Sequence, residues 1–228
     1  MTIVIDESAT VATLIDAGVT GSQPGPSPTP GDSDLSWCMQ PDASLGKYFD
    51  ALYQIVLRIS SSLSVDSVLG YLTEEAATAV GARASSVRLL DASGERLEMR
   101  AVHGLSESYL NKGPVELVHS SIDREILAGN ASQLADVTKD SSFQYPEEAA
   151  REGIISVASV PLIAHGEPIG VLRVYSGERR TFSDAEMRFL VAVADLAALS
   201  IENARLYEGM RQNYEETMNT LWGPEPAK

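Results

Sequence analysis

The stretch that most constrains this chain runs from Gly153 to Tyr207, where two apolar runs meet at a glycine-containing turn and lead into one long helix. The runs Ile154 to Ile163 and Ile169 to Tyr175 flank His165-Gly166-Glu167, whose glycine supplies the positive φ that a short hairpin loop requires. Ser183 then stands three residues before Glu186, the spacing at which the two side chains satisfy orphan amides at a helix start. A helix is predicted from Ser183 to about Asn219. Met187, Leu190, Ala194, Ala197, Ile201 and Ala204 share one heptad-spaced face of it, and Phe189, Val193, Leu196, Leu199 and Leu206 lie elsewhere on the cylinder. Two apolar faces need two coverings: the sheet with the helix near Leu45 to Leu63 on one, and the same helices of a second subunit on the other.

A matching seam lies upstream. Leu45, Phe49, Leu52, Val56, Ile59 and Leu63 recur at alternating steps of four and three, a stripe suited to pairing with a partner helix or with the chain's own helical layer. The dimer interface expected from both seams is Phe49, Leu52, Val56 and Ile59 with Met187, Leu190, Ala194 and Ile201. A second helix is predicted from Ser64, with Val65, Val68, Leu69, Leu72, Ala76 and Val80 on one side and Gly81 as its stop. Strands follow at Ala84 to Leu90 and Arg96 to Val102. In the second, Leu97, Met99 and Ala101 alternate with charged residues, which predicts one buried face in an antiparallel sheet. Between Gly104 and Gly153 the pattern gives short helices at Ser106 to Asn111, Ser121 to Ala128 and Pro146 to Glu152, and a strand at Gln133 to Val137. Such irregular connections carry binding groups while the scaffold holds them.

Several short motifs stand in a fixed order along this frame: His103-Gly104-Leu105, Ser120-Ser121-Ile122 to Gly129, Asp136-Val137, Phe143 through Gly153-Ile154, Pro161-Leu162, Gly170-Val171-Leu172, and Ile201 to Leu206. The series resembles the GAF domain family from about Leu45 onward. The resemblance implies an α+β fold: a central antiparallel sheet of about six strands, N- and C-terminal helices on one face, and a loop-covered pocket on the other. It also implies a small-molecule sensing and dimerisation module. The expected organisation is a flexible N-terminal segment over 1–42, the GAF domain over 43–209, and a C-terminal helical extension and tail over 210–228. Within the first segment, residues 21–34 concentrate glycine, proline and serine and read as a linker.

Pocket candidates follow from position: His103 at a strand end, Tyr109 on a short helix, Asp136 after a short strand, Phe143 and Tyr145 in a lid-like loop, and Arg173 and Tyr175 on the last strand. Structural roles compete for each: Asp136 tying its turn, Phe143 plugging the lid, Arg173 pairing with an acid.

Catalytic and cofactor chemistry finds little support. The single cysteine, Cys38, precludes an internal disulfide framework and a cysteine-rich metal site. GAF proteins that reduce free methionine sulfoxide depend on several cysteines in the domain body, which this chain lacks. His103, His119 and His165 are not spaced as a metal pair, and no phosphate-cradling glycine loop is present. Asn111-Lys112 matches only the opening of the cyclic-nucleotide motif of phosphodiesterase GAF domains and reads better as a helix end before Gly113-Pro114. No metal or cofactor is expected.

The formal charge of −15, from 32 acidic and 17 basic residues, opposes nucleic acid and anionic lipid. No stretch reaches the length of a membrane span, and a cytoplasmic location is expected. The expected function is non-catalytic signal sensing or partner regulation through a homodimer, with output passed to a separate protein. The alternative is a ligand-free dimeric adaptor docking another protein through its terminal segments; an enzyme on the same scaffold ranks third.

Overall fold

The computed structural model describes residues 43–62 and 64–223, with the backbone alone given at 43–45, 221 and 222. The linker over 21–34, the peptide before it, Cys38 and Leu63 lie outside the described residues. The elements are α1 (Ala43–Ser61), α2 (Val65–Ala79), β1 (Ala84–Leu90), β2 (Arg96–His103), α3 (Glu107–Leu110), β3 (Val115–Glu116), α4 (Ser121–Leu127), β4 (Ser132–Leu134), α5 (Pro146–Glu152), β5 (Ser156–Ala164), β6 (Glu167–Ser176) and α6 (Asp184–Trp222).

One six-stranded sheet in the order β3-β2-β1-β6-β5-β4 organises the molecule, and every neighbouring pair is antiparallel. At the β5–β6 hairpin both His165 (φ 52°) and Gly166 (φ 81°) take positive φ, the turn that matches the twist of the flanking strands. Gly170 meets a stricter demand. A Cβ there would collide with the backbone carbonyl of Arg88, so glycine lets β6 lie close against β1.

Strand alternation divides the side chains between two layers. Val87, Ala158, Val160, Leu162, Leu172 and Val174 point to one side, where α1, α2 and α6 cover them to form the main core with Leu69, Leu72, Leu190, Val193 and Ala197. Tyr48 of α1 stacks on Phe189 of α6 with ring centroids 4.9 Å apart. On the opposite side lie two smaller apolar clusters, around Tyr175 and Ile154 and around Leu97 and Ile126, covered by α3, α4, α5 and their connections. The GAF-like α+β arrangement expected from the sequence is the one found.

Two expectations are corrected. A bulge between Val87 and Arg88 takes up one extra residue of β2, so Leu97 packs on the lid side while Ala101 packs on the helix side. The uninterrupted alternation across Leu97, Met99 and Ala101 therefore does not hold. Of the seam residues, Leu190, Ala194 and Ile201 are buried in the chain's own core, where α1, α2 and the sheet cover them, so they present nothing to a second subunit. Leu52, Ile59 and Met187 are half-buried against the same core, whereas Phe49 and Val56 face outward.

The capping box at Ser183 and Glu186 forms as the spacing required, and α6 runs without interruption past residue 209. No described helix is long and apolar enough to cross a membrane.

Candidate ligand site beneath the lid

The lid-side surface of the sheet is unusually polar for a buried layer. Ser86 and Arg88 of β1, Ser159 of β5 and Arg173 of β6 are all buried, interleaved at period two with helix-facing apolar residues. Tyr175, fully buried, gathers part of this set: its hydroxyl lies 2.9 Å from Ser86 Oγ and accepts from Arg88 Nη1 at 3.1 Å. Arg173 is held on three sides. Its Nε donates to Ser159 Oγ at 2.7 Å, its Nη2 donates to Asp123 Oδ1 at 2.6 Å, and its guanidinium lies over the Phe143 ring.

Asp123 comes from α4, and Ser120 at the start of that helix donates to its other oxygen at 2.6 Å. Both side chains of the Asp123–Arg173 pair are only 3% exposed, so each charge depends on the other for compensation. Arg88 has less support: its Nη2 is the one buried side-chain nitrogen or oxygen left without a partner among the described residues.

The lid closes over this floor through specific bonds. Glu152 of α5 accepts from the Ser106 backbone amide at 2.9 Å and from its hydroxyl, tying α5 to the start of α3. Tyr145 donates to the Pro114 carbonyl at 2.9 Å, and the Glu116 amide donates to Gln144 at 2.9 Å. Lys112, just past α3, sets its ammonium 3.9 Å above the Tyr109 ring and 5.1 Å from that of Tyr145. Burial and the positive charges of Arg88 and Arg173 lower the Lys112 pKa to about 7. Burial raises the Tyr109 phenol well above its ordinary value, so it stays a neutral hydroxyl. Outside the lid, a groove of about 330 Å³ is lined by residues of α3 and α5 and reaches Lys112.

Five of the seven sequence candidates, Tyr109, Phe143, Tyr145, Arg173 and Tyr175, sit on the lid side of the sheet. Two do not belong with them. His103 pairs in register with Ser85, whose hydroxyl bonds the Thr73 carbonyl of α2, so His103 stands on the helix side. Asp136 ties its own turn, accepting from the Thr138 amide at 3.2 Å and hydroxyl at 2.6 Å, with Lys139 and Arg179 beside its other oxygen. Sequence reasoning missed Arg88, Asp123 and Lys112. The available signal was Arg88 itself, a charged residue inside an otherwise buried strand.

A family model described as the GAF domain matches residues 62–202, well over half of the chain. The chain belongs to the GAF domain family. Among curated proteins, this GAF chain is 25% identical over 174 residues to a methyl sulfide methyltransferase-associated sensor of Methanosarcina acetivorans. That match covers 74% of this chain and only 17% of the relative. Among solved structures, the GAF domain of a phosphoenolpyruvate-protein phosphotransferase from Coxiella burnetii superposes with a TM-score of 0.66 at 21% identity, covering 74% of this chain and 99% of that one. The corresponding domain from Acinetobacter gives a TM-score of 0.60 at 26% identity, covering 69% and 94%. The GAF family and the sensor relative together indicate a signalling or sensory role.

Proposed function

We propose that this chain is a non-catalytic sensory GAF module that takes a small molecule between its sheet and its lid, acts as a homodimer, and passes the signal to a separate output protein. What carries the reading is the buried polar floor of Ser86, Arg88, Ser159 and Arg173, set where the fold alone calls only for apolar packing. Two of the carboxylates around it are committed to structural bonds, Asp123 to Arg173 and Glu152 to Ser106, which supports binding over acid–base catalysis.

A route from the floor to the terminal helix supports regulation. Asp123 lies on α4, which leads into β4, and Gln133 of β4 clamps Phe182 by bonds to its amide at 2.6 Å and its carbonyl at 3.3 Å. Phe182 directly precedes the Ser183 cap of α6. A ligand that shifts α4 therefore acts on the start of the helix, and its effect is limited to its differential affinity for the two arrangements. Dimerisation draws support from outward-facing Phe49, Tyr53 and Val56 on α1 and Leu199, Leu206 and Met210 on α6.

Thermal denaturation against nucleotides, amino acids and tetrapyrroles tests the sensing function. A saturable stabilisation by any of them is expected, and no response to the whole set would overturn it. Sedimentation of the full chain at micromolar concentration, expected to give a dimer, tests the assembly; a monomer would refute it. The adaptor reading is favoured by one observation: Tyr109, Phe143 and Tyr175 belong to one buried apolar cluster beneath the lid.

A further inference from the structure

We propose that the sensed molecule carries an oxyanion group, a carboxylate or a phosphate, and that Arg88 and Lys112 hold it beneath the lid. The inference rests on the sensory reading above and specifies its ligand. Its foundation is a charge imbalance. Two guanidiniums, Arg88 and Arg173, are buried on the floor, and one buried carboxylate, Asp123, faces them. Arg173 and Ser120 occupy both oxygens of that carboxylate. Arg88 thus shares the single Asp123 charge with Arg173, leaving one positive charge in excess, and keeps an unused donor. A buried cation without a counter-charge costs stability, and an oxyanion would satisfy the charge and the donor together.

Lys112 supplies the second contact. It lines the groove between α3 and α5, and it is close enough to Arg88 and Arg173 for their charges to act on it. The groups around its ammonium are Arg88 and Arg173 from the sheet, Asp123 from α4, Glu148 from α5, and the rings of Tyr109 and Tyr145. The two cations and burial disfavour its charge, while Asp123 and Glu148 favour it. An oxyanion placed among these groups restores the ammonium, so binding takes up a proton wherever Lys112 is neutral in the free protein. Affinity for a carboxylate therefore falls as pH rises through about 7. The groove, about 330 Å³, would take the remainder of the molecule.

Arg88→Met separates a binding role from a structural one. Tyr175 keeps Ser86 as its partner at 2.9 Å when the guanidinium is gone, so the ligand-free variant should melt at or above the wild-type temperature. The full chain is titrated calorimetrically with sodium acetate and with sodium phosphate, using sodium chloride at equal ionic strength as the control. Saturable binding of acetate, of phosphate or of both supports the proposal and tells a carboxylate from a phosphate source. Arg88→Met should weaken it at least about tenfold. Arg88→Lys, which keeps the charge and loses the fork, should fall between. Lys112→Met should weaken binding less and abolish the pH dependence of acetate binding around pH 7, where acetate itself does not titrate.

Binding no stronger than chloride, or binding unchanged in both the Arg88→Met and Lys112→Met proteins, would overturn the oxyanion site. So would a loss of ligand-free stability in Arg88→Met and Arg88→Lys alike, since Arg88 would then be structural. A neutral compound that stabilises wild type and Arg88→Met equally overturns the oxyanion and leaves the sensory reading standing. Failure of every compound class removes both.

Discussion

The two faces of the central sheet are built from the same strands and solve different problems. On the helix side, α1, α2 and α6 lay a continuous apolar layer over Val87, Val160, Leu172 and their neighbours. On the lid side, apolar packing breaks into two clusters, and Arg88, Arg173, Asp123 and Ser159 are also buried there. The first face holds the larger buried apolar cluster and so the larger share of hydrophobic burial, which contributes roughly 25 cal/mol per Å² of apolar area removed from water. The second face retains polar groups that an optimised core would replace, and such groups concentrate at functional sites. One face holds the fold, and the other is free to respond to a ligand.

The sharpest attack on that contrast is Asp123→Ala. It leaves Arg173 buried without its carboxylate, next to the already unsupported Arg88. A loss of about 3–5 kcal/mol in urea unfolding is expected, the cost of stranding a buried charge. A loss under about 1 kcal/mol, typical of an exposed pair, would mean that water reaches the lid interior. The helix-side counterpart is Leu190→Ala. With Leu190 1% exposed in the main core, the expected loss is about 2–5 kcal/mol, with the oligomeric state unchanged in sedimentation. Dissociation with little loss of stability would return Leu190 to a subunit interface.

Most of the helix side was legible in the sequence because its signals are local and periodic. The Ser183–Glu186 cap, the hairpin at His165-Gly166, and α2 after Ser64 each follow from spacing within a few residues. The heptad pattern of α6 was read correctly as apolar and wrongly assigned to a partner, because periodicity fixes which residues share a face and not what covers it. The lid side was less legible for a physical reason. Asp123 and Arg173 meet across 50 positions, and neither neighbourhood signals the other. His103 was misplaced because the β-bulge changes which residues of β2 share a face, and no pattern of residue types announced it. Lys112 looked like the end of a short helix, and only folding brings it against the rings of Tyr109 and Tyr145.

Gly170 lies beneath both faces and tests how rigidly they are joined. Gly170→Ala pushes a methyl group against the Arg88 carbonyl in the neighbouring strand. A loss of about 1–3 kcal/mol is expected, as for overpacking in a dense interior. The displacement falls on β1 at Arg88, so the same variant should also weaken acetate or phosphate binding. Destabilisation with unchanged binding would mean that the strand yields away from the lid.

The predicted effect with the smallest change per step of the measurement concerns the lid side alone and has a defined sign. Lys112 releases its proton near pH 7 in the folded chain, whereas an unfolded lysine holds it to about 10.4. Between those values the unfolded state binds more protons, so this residue makes stability rise with pH across the window, and stability falls again as pH drops toward 7. A full proton difference would give about 1.4 kcal/mol per pH unit, and the partial exposure of Lys112 reduces the expected slope to below about 1. Lys112→Met removes that contribution, so urea unfolding of the variant should lack the rise that wild type shows above pH 7. Substitutions on the helix side should lower the wild-type curve uniformly and leave the rise in place. If Lys112→Met and wild type give parallel curves, the ammonium is solvated, and the lid is more open than the bonds from Glu152, Gln144 and Tyr145 imply.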